Sequence, residues 1–435
     1  MAATLEQTGQ LERRLDITLA PAEIDGEVET RLKQLARNVK MHGFRPGKVP
    51  LKVVAQQYGE QVRREVLGDV LQKNFGEAVR AQNLKIAGYP HFEPKGAAEG
   101  AMPVEFSATF EIYPEIAVGD IAKATIERPQ VDTSEAEVDK TLEIMRKQRA
   151  TYGNVSRAAA AGDRVTIDFA GTIGGTPFEG GTGSDVSIIL GEGRLLKDFE
   201  SEVVGMLTGA AKTFDLRFPD DYHGKEVAGK SATFEVKLKS VAEPRLPPVD
   251  ADFAKALGVA DGSLETMRKE VRENLEREVK RRVNGKVKDQ IMQALIDGTE
   301  VVVPKSLVEM EIERMSASMK QELEARGVKG GNLPIDGAMF EPAAQRRVKL
   351  GLILAEVVKA HGLQAKPEQV RAMVEEQAQT YEAPEQVVKW YYQSPERLRE
   401  IESMAVEENV VAWALANAKV SDKKTDFDEL MGSGK

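Results

Sequence analysis

The residues with the clearest chemical potential lie in one basic stretch of an otherwise acidic chain. The 435-residue sequence has a formal net charge of -10, yet residues 30–59 contain seven Lys or Arg and no Asp or Glu. Within this stretch, the loop Gly43-Phe44-Arg45-Pro46-Gly47-Lys48-Val49-Pro50 places an aromatic side chain and two cations beside two glycines. Clustered cations attract carboxylates or phosphates of a partner. The stretch therefore predicts a docking surface for a negatively charged partner.

The side chains of this loop suit contact with a partner better than a place in a core. Arg45 and Lys48 are expected to contact carboxylates or phosphates, while Phe44 and Val49 insert into a groove of the partner. Residues 21–39 begin with a proline and space their apolar side chains as a helix does, so a helix is expected to present the loop. The alternative is a solvated basic turn in which Phe44 is buried.

The loop resembles the ribosome-docking signature of bacterial trigger factor, a family of ribosome-associated chaperones that meet nascent chains at the exit tunnel. The matching pattern is Gly43-Phe44-Arg45-x-Gly47-Lys48-x-Pro50. The resemblance implies that five loop residues bind the ribosome: Gly43, Phe44, Arg45, Gly47 and Lys48. The partners it implies are the large ribosomal subunit, through an exit-tunnel protein and nearby rRNA, and nascent or unfolded polypeptides.

The composition of the chain excludes several kinds of functional site. The sequence has no cysteine, which excludes disulfides, thiolate metal sites and a catalytic thiol. Its first residues form no apolar signal segment, and no stretch approaches the roughly 18 uninterrupted apolar residues of a membrane span. We therefore expect a cytoplasmic multidomain protein with no membrane partner. No cofactor and no metal are expected.

The elements around the basic loop predict a small α+β head. Residues 10–19 and 104–112 alternate apolar with polar side chains and predict strands, and residues 60–81 predict a second helix. A stretch rich in Pro and Gly, residues 88–100, predicts a loop. Further along, the pattern Ser134-x-x-Glu137 predicts a capping box that opens a connector helix.

Residues 162–241 are rich in strands, glycines and aromatics. Alternating apolar positions at 165–170 and 232–238 predict strands, and repeated glycines between them predict turns. One short helix is expected at 195–204. The expected fold is a half-open β-sheet around this short helix.

This segment resembles the FKBP-type peptidyl-prolyl isomerase domain. The matching residues are spread along it: Val165-x-Ile167-Asp168-Phe169, Phe178-Glu179, Leu195-Leu196-x-x-Phe199-Glu200, Phe218-Pro219-x-x-Tyr222 and Phe234-x-Val236. The resemblance implies a catalytic pocket of nine residues: Phe169, Phe178, Glu179, Leu195, Leu196, Phe199, Phe218, Tyr222 and Phe234.

Such a pocket needs no nucleophile and no metal. Rotation about an X-Pro amide is slow because its C–N bond has partial double-bond character, with a barrier of roughly 18–20 kcal/mol. A dry aromatic pocket removes the water that favours the planar amide. Tyr222 could donate a hydrogen bond to the substrate carbonyl, and Glu179 takes the place where small family members carry an acid. Taken singly, each phenylalanine also fits an ordinary core position.

From residue 251 onward, apolar spacing predicts long helices separated by Gly and Pro. Three methionines on one of these helices, Met310, Met315 and Met319, are expected to contact clients because flexible, polarizable side chains adapt to many sequences. The alternative is that these residues, with Met292, are ordinary core. An exposed apolar cradle also offers an interface for a homodimer of the free protein.

The predicted fold class is multidomain α+β: a small α+β ribosome-binding head, an FKBP-like half-open β-sheet around a short helix, and a large all-α helical cradle domain. The expected parts are a head at 1–113, a connector at 114–150, an isomerase domain at 151–244, a helical body with arms at 245–420 and a disordered tail at 421–435.

Two functions remain open from the residues. The first is a ribosome-docked chaperone that shields emerging apolar segments, delays misfolding and aggregation, and isomerises X-Pro bonds as a secondary activity. The second is primarily a prolyl isomerase whose flanking domains only recruit substrate. The basic loop favours the first, because a free isomerase does not need it. A nucleic-acid regulator is disfavoured, because no recognition helix is evident.

Overall fold

The computed structural model describes residues 3–42, 44, 48–95, 104–222, 224, 226–327, 336–379, 381 and 383–432. The chain divides into two compact units, one formed by residues 1–128 with 286–422 and the other by residues 129–285 with 423–435. Each unit combines helices with at least one sheet or strand pair. The prediction of a multidomain α+β protein is confirmed.

The first unit begins with a four-stranded antiparallel sheet of strand order β1-β2-β4-β3. Its strands are β1 (Ala3–Gln7), β2 (Glu12–Thr18), β3 (Ile86–Lys95) and β4 (Glu105–Ile112), and two helices, α1 (Pro21–Asn38) and α2 (Leu51–Ala81), lie between β2 and β3 in the chain. Valines spaced four or eight residues apart along α2 are buried in one core with side chains of the sheet: Val54, Val62, Val66 and Val70. Helical periodicity and strand alternation thus build one shared core.

Two sequence predictions in this region need correction. Residues 88–95, predicted as a loop, belong to strand β3, and the second helix begins at Leu51 rather than at residue 60. Strand β3 lies at the edge of the sheet and changes register between Ala87 and His91. Prolines are tolerated at an edge strand and beside a bulge, so the composition that predicted a loop is compatible with a strand here.

The rest of the first unit is helical. It contains the end of the long helix α6 (Leu264–Gly298), followed by α7 (Lys305–Ala325), α8 (Glu341–His361), α9 (Pro367–Ala378), α10 (Pro384–Tyr392) and α11 (Pro395–Asn417). The start of α7 is fastened to the head sheet, because the backbone N–H and the hydroxyl of Ser306 both donate to Glu111 Oε2 at 2.7 Å. The hydroxyl also reaches the carbonyl of Ala87 at 2.7 Å. Helix predictions for this part of the chain are confirmed.

The second unit contains the isomerase-like sheet. Its antiparallel strands are β6 (Thr151–Val155), β7 (Arg164–Ile173), β8 (Thr176–Ile189), β9 (Ala211–Arg217) and β10 (Ser231–Arg245), and the short helix α4 (Lys197–Val203) lies between β8 and β9 in the chain. The strand order is β6-β10-β7-β8, with β9 also pairing β10. Alternate residues of β7 and β10 are buried with α4 in one core. The half-open sheet around a short helix is confirmed.

Helix α3 (Glu135–Gln148) and helix α5 (Ala251–Ala256) form a second core in this unit with the first part of α6. Val138, Leu142, Phe253, Met267 and Val271 are buried there. The predicted capping box is confirmed: the Ser134 side chain accepts a backbone N–H of α3, and Glu137 accepts the backbone N–H of Ser134. These bonds satisfy donors that the first turn of a helix leaves unpaired.

The prediction that residues 421–435 are disordered is wrong for the described part of that segment. Strand β11 (Lys419–Lys424) pairs with β5 (Thr125–Gln130), and α12 (Phe427–Met431) follows it. Leu430 is only 2% exposed. Asp426 caps α12 by accepting the Asp428 N–H at 2.8 Å, and Arg282 donates to the carbonyl of Met431 at 2.7 Å. One buried leucine and these polar anchors order a segment that is polar in composition.

Among the described residues, no helix is both long enough and apolar enough to cross a membrane.

Candidate active site and docking loop

The isomerase-like sheet and α4 enclose a cavity with a volume of about 660 Å³. All nine residues predicted for the pocket line it: Phe169, Phe178, Glu179, Leu195, Leu196, Phe199, Phe218, Tyr222 and Phe234. Strands β7, β8 and β10 supply one side, α4 and the loop before it supply another, and the segment after β9 closes the rim. Folding therefore brings together residues that are up to 65 positions apart in the sequence.

Phe234 stands at the centre of the aromatic wall. Its ring centroid lies 5.3 Å from that of Phe199, with the two planes at 86°, and 6.1 Å from that of Phe178, with the planes at 89°. Phe169 meets Phe199 edge-on at 5.9 Å. Edge-to-face contacts of this kind are favourable and directional. They hold the wall in one arrangement before any substrate arrives.

The two interpretations of these phenylalanines from the sequence, as lining of a pocket and as ordinary core residues, are compatible. Phe199, Phe218 and Phe234 are buried in the core of the domain and also line the cavity. Phe169 and Phe178 are partly buried, and Glu179 is exposed. The inner part of the wall is thus also the hydrophobic core, which makes the cavity part of the folded domain.

Three glycines make room for this wall, a role that the sequence analysis missed because it interpreted glycines in this region only as turn residues. A Cβ on Gly171 would lie 2.5 Å from Cε1 of Phe234, and one on Gly183 would lie 2.6 Å from Cε1 of Phe169. Both glycines are the direct cross-strand partners of those phenylalanines. Gly181 makes room for a ring of its own strand: a Cβ there would lie 2.9 Å from Cε1 of Phe178, which is three residues earlier in β8. Pairing a glycine with an aromatic ring across strands lets the ring lie flat over the backbone.

Further residues line the cavity that the sequence comparison did not single out. They lie between the matching segments: Gly180, Gly193, Arg194, Gly224, Glu226 and Val227. Arg194 and Glu226 bring charge to a mostly apolar wall, and both are exposed. Only the geometry of the loops shows them, because their spacing in the sequence matches no periodic pattern.

A charged cluster holds the irregular part of β8 close to the cavity. Asp168 accepts the backbone N–H of Asp185 at 2.8 Å, and Lys239 contacts both carboxylates, at 3.0 and 2.7 Å. The hydrogen bond from Asp185 and the bond from Lys239 hold the pKa of Asp168 below its usual value. Asp185 has φ of 56°, an uncommon conformation for a residue with a side chain. These contacts fix the turn at the point where β7 and β8 change register.

In the head, part of the predicted docking loop lies within the described residues. Phe44 is 39% exposed, which excludes the alternative of a buried Phe44, and Lys48 is exposed. The other predicted ribosome-binding residues, Gly43, Arg45 and Gly47, lie outside the described residues. The loop thus offers at least one aromatic side chain and one cation to solvent.

The prediction that Val49 inserts into a partner is wrong. Val49 is 6% exposed and belongs to the core of the head, together with Val54. Pro50 is the N-cap of α2, so Val49 precedes the cap and Val54 is the fourth helical residue. This is the spacing of a hydrophobic staple, in which an apolar residue before the cap packs on the first turn. Val49 therefore anchors the end of the loop.

The basic stretch is partly neutralised by neighbouring acids. Arg31 contacts Asp69 at 2.7 Å, and Lys33 contacts Glu29 at 2.7 Å. Both pairs are exposed, so they contribute little to stability and compete weakly with a partner.

The methionines of α7 have mixed environments. Met310 is 39% exposed and Met319 is 36% exposed, Met315 is partly buried, and Met292 of α6 is buried. A second apolar surface, which sequence reasoning missed, lies at α10. Tyr381, Val387 and Trp390 line a groove of about 630 Å³ there, and α10 has no buried residue. The sequence signal for this surface was Tyr381, which precedes α10, together with the aromatics at the end of the helix.

The class of domain that holds the cavity follows from a comparison with family models. The model of the FKBP-type peptidyl-prolyl cis-trans isomerase matches residues 155–239, which include all nine predicted pocket residues. The protein is therefore an enzyme with an FKBP-type peptidyl-prolyl isomerase domain. This confirms the activity expected from the sequence.

The flanking regions define the family of the whole chain. The model of the bacterial trigger factor protein matches residues 1–145, and its C-terminal counterpart matches residues 263–416. The chain is 56% identical to a trigger factor of Nitrosospira multiformis, covering 99% of this chain and 100% of the relative. It is 55% identical to one of an Azoarcus species, covering 98% of each chain, and 54% identical to one of Thiobacillus denitrificans, covering 99% and 100%. The chain belongs to the trigger factor family.

Proposed function

We propose that this trigger factor family member divides its work between separate surfaces: the head docks the ribosome, the helical body holds clients, and the cavity isomerises their X-Pro bonds. The family is one of ribosome-associated chaperones, and the isomerase domain lies inside this chain. The observation that carries the assignment of the cavity is that nine residues predicted from separate segments line one aromatic space.

In the cavity, the chain acts by binding an X-Pro segment away from water. Water stabilises the planar amide by hydrogen bonding its carbonyl, so an apolar site lowers the barrier of roughly 18–20 kcal/mol by favouring the twisted amide. Phe199 and Phe234 form the inner wall that receives the proline ring. Tyr222, whose ring centroid lies 4.9 Å from that of Phe218, is at the rim and donates a hydrogen bond to the substrate carbonyl.

Docking rests on the loop at 43–50. The exposed Phe44 enters an apolar groove of an exit-tunnel protein on the large subunit, while Arg45 and Lys48 contact acidic side chains or nearby rRNA phosphates. The cluster of seven cations at residues 30–59 supports this role. We place the protein in the cytoplasm, where ribosomes meet nascent chains.

Client binding rests on exposed apolar side chains of the helical body. Met310 and Met319 on α7 contribute flexible contacts, with Met315 beside them, and Trp390 contributes a rigid aromatic one. The same surfaces serve as the interface of a homodimer when the protein is free of the ribosome.

The division of work is tested with the double change Phe199→Ala and Tyr222→Ala. Isomerisation of a proline-containing peptide should fall more than about 100-fold, because the cavity loses its inner wall and its rim donor. Suppression of aggregation of an unfolded protein should stay within about twofold of wild type, because no helix of the body is changed. The control is Tyr152→Ala, an aromatic of the same sheet outside the cavity.

Two outcomes would contradict the proposal. Loss of both activities in the double variant would make the isomerase cavity the main client site and favour an enzyme whose other domains only recruit substrate. An equal loss of isomerisation in Tyr152→Ala would mean that the effect comes from general damage to the domain.

A further inference from the structure

The carboxylate of Glu200 lies behind the loop that closes one side of the cavity. Glu200 is on α4, is 6% exposed and is one of two buried acidic side chains among the described residues. Its Oε2 accepts the backbone N–H of Gly191 at 2.7 Å, and its Oε1 accepts that of Leu195 at 3.2 Å. It does not itself line the cavity. One side chain thus binds both ends of a five-residue segment.

That segment leads directly into the floor of the cavity. Gly193, Arg194, Leu195 and Leu196 all line the space. The loop belongs to no strand or helix, and two of its residues, Gly191 and Gly193, have positive φ of 95° and 70°. Glycine residues can adopt many backbone conformations when no contact restrains them. A loop that contains two of them therefore needs fixed contacts to hold a single conformation.

The chemistry of the contact favours a carboxylate over its neutral analogue. An ionised carboxylate has two oxygens that only accept hydrogen bonds, which matches two backbone N–H donors. Bonds to a charged acceptor are also the stronger kind. Glutamine has the same shape but a single acceptor oxygen, and its amide group would face the second N–H with another donor.

We propose that Glu200 is a positioning residue for the isomerase: its carboxylate holds loop 191–195 so that Leu195 and Leu196 form the floor of the substrate site. The inference rests on the isomerase activity of the cavity. It assigns to Glu200 an effect on substrate binding, transmitted through two backbone amides.

The test uses the full chain and three variants: Glu200→Gln, Glu200→Ala and the control Glu202→Ala. Glu202 is on the same helix, and its side chain is half-exposed and pairs with Lys212 at 2.7 Å. The first measurement is hydrogen exchange of the amides at 191–195, compared with those of β10. The second is KM and kcat for a short X-Pro peptide.

In both Glu200 variants, the amide hydrogens at 191–195 should exchange faster than in wild type, while the amides of β10 stay protected. In Glu200→Ala, kcat/KM should fall about tenfold, mainly through a higher KM, because binding of the substrate must then order the loop. The kcat/KM of Glu200→Gln should lie between those of wild type and the alanine variant, because glutamine retains one acceptor oxygen. Glu202→Ala should match wild type in both measurements.

Three results would overturn the proposal. Unchanged exchange at 191–195 in Glu200→Gln would show that the carboxylate does not hold the loop. Faster exchange of the loop amides, with kcat/KM within about twofold of wild type, would show that substrate binding does not depend on the loop being held by Glu200. Equal loss of protection in β10 of the glutamine variant would show a general role in folding. If the isomerase assignment itself were wrong, the result would be different: wild type would show no isomerase activity, although its amides at 191–195 would still be protected from exchange.

Discussion

In the isomerase cavity, the side chains proposed to act are scattered between residues 169 and 234 and meet through strand register, whereas those proposed for docking, in the loop at 43–50, are neighbours in the chain. The cavity is lined by rings that are also the core of their domain. The loop presents Phe44 and Lys48 to solvent and is fastened at its end by the buried Val49. One site is therefore made by tertiary structure and the other by local sequence.

This difference predicts how each site responds to its surroundings. A cavity that works by excluding water depends on the placement of rings and backbone, so changes in packing should affect it strongly and salt should affect it little. Exposed cations are screened over a Debye length of about 8–10 Å at ordinary ionic strength. Binding through the loop should therefore respond to salt and to charge removal, and hardly to substitutions in the isomerase core.

Among single substitutions, the largest effect on the cavity is expected from Gly171→Ala. The new Cβ would lie 2.5 Å from Cε1 of Phe234, so the ring at the centre of the wall must move. Misplacement by about 1 Å can cost a factor of about 100 in rate, and we expect kcat/KM to fall by that order. Gly59→Ala in α2, where a Cβ meets nothing within 4 Å, is the control and should leave activity unchanged. A fully active Gly171→Ala would contradict the proposed dependence on ring placement.

The next effect concerns pH. Asp163 is buried; burial raises its pKa, but hydrogen bonds from Arg157 and the Ala160 N–H outweigh this, and the pKa lies below its usual value. A carboxyl with a lowered pKa stabilises the fold above the unfolded-state pKa of about 3.9 and loses that contribution as pH falls through its folded-state pKa. Asp163→Asn should therefore destabilise the isomerase domain by about 2 kcal/mol at pH 7, and the difference should shrink in acid below about pH 4.

The destabilisation of the isomerase domain by Asp163→Asn can be measured in the full chain from hydrogen exchange of the amides in β7 and β10. Asp198→Asn is the control, since that side chain is exposed on α4. A constant difference between Asp163→Asn and wild type from pH 7 to pH 3 would contradict the role of the ionised carboxylate. The loop should not share this pH dependence, because residues 30–59 contain no carboxylate side chain.

The smallest effect distinguishes the two apolar residues of the loop. Val49→Ala should lower the stability of the head by about 1.5 kcal/mol, since two methyl groups leave a closed core. Phe44→Ala should change it by less than about 0.5 kcal/mol, because its side chain is substantially exposed. Exchange rates of amides in α2 report both values. Equal destabilisation by the two changes would mean that Phe44 belongs to the core.

The sequence predicted the cavity well because its residues carry a distributed family pattern and alternate along strands. Phe169 and Phe234 could be assigned to one wall without coordinates. The glycines opposite them could not be so assigned, because the pairing of Gly171 with Phe234 depends on which residues face each other across two strands. Arg194 and Glu226 were missed for the same reason: a loop's path, not a period, places them at the cavity.

The errors in the head and the tail have a common physical cause. Val49 was assigned to a partner because it follows exposed residues, but the helix cap at Pro50 turns its side chain into the core. Leu430 lies in a polar segment whose composition resembles a disordered tail. Its burial depends on helices far away in the sequence, as the contacts of Lys140 with Asp428 and of Arg282 with Met431 show. Local composition carries no signal for such contacts.

Docking through residues 43–50 is tested most directly by co-sedimentation with 70S ribosomes across a salt titration. Wild type is compared with the triple change Phe44→Ala, Arg45→Ala and Lys48→Ala. A matched triple change elsewhere on the head, Tyr89→Ala, Arg80→Ala and Lys85→Ala, removes one exposed aromatic and two cations as well. We expect wild type and the matched variant to bind at low salt and to be released as salt rises, and the loop variant not to bind. Equal binding by the loop variant, or no binding by wild type, would contradict docking through residues 43–50.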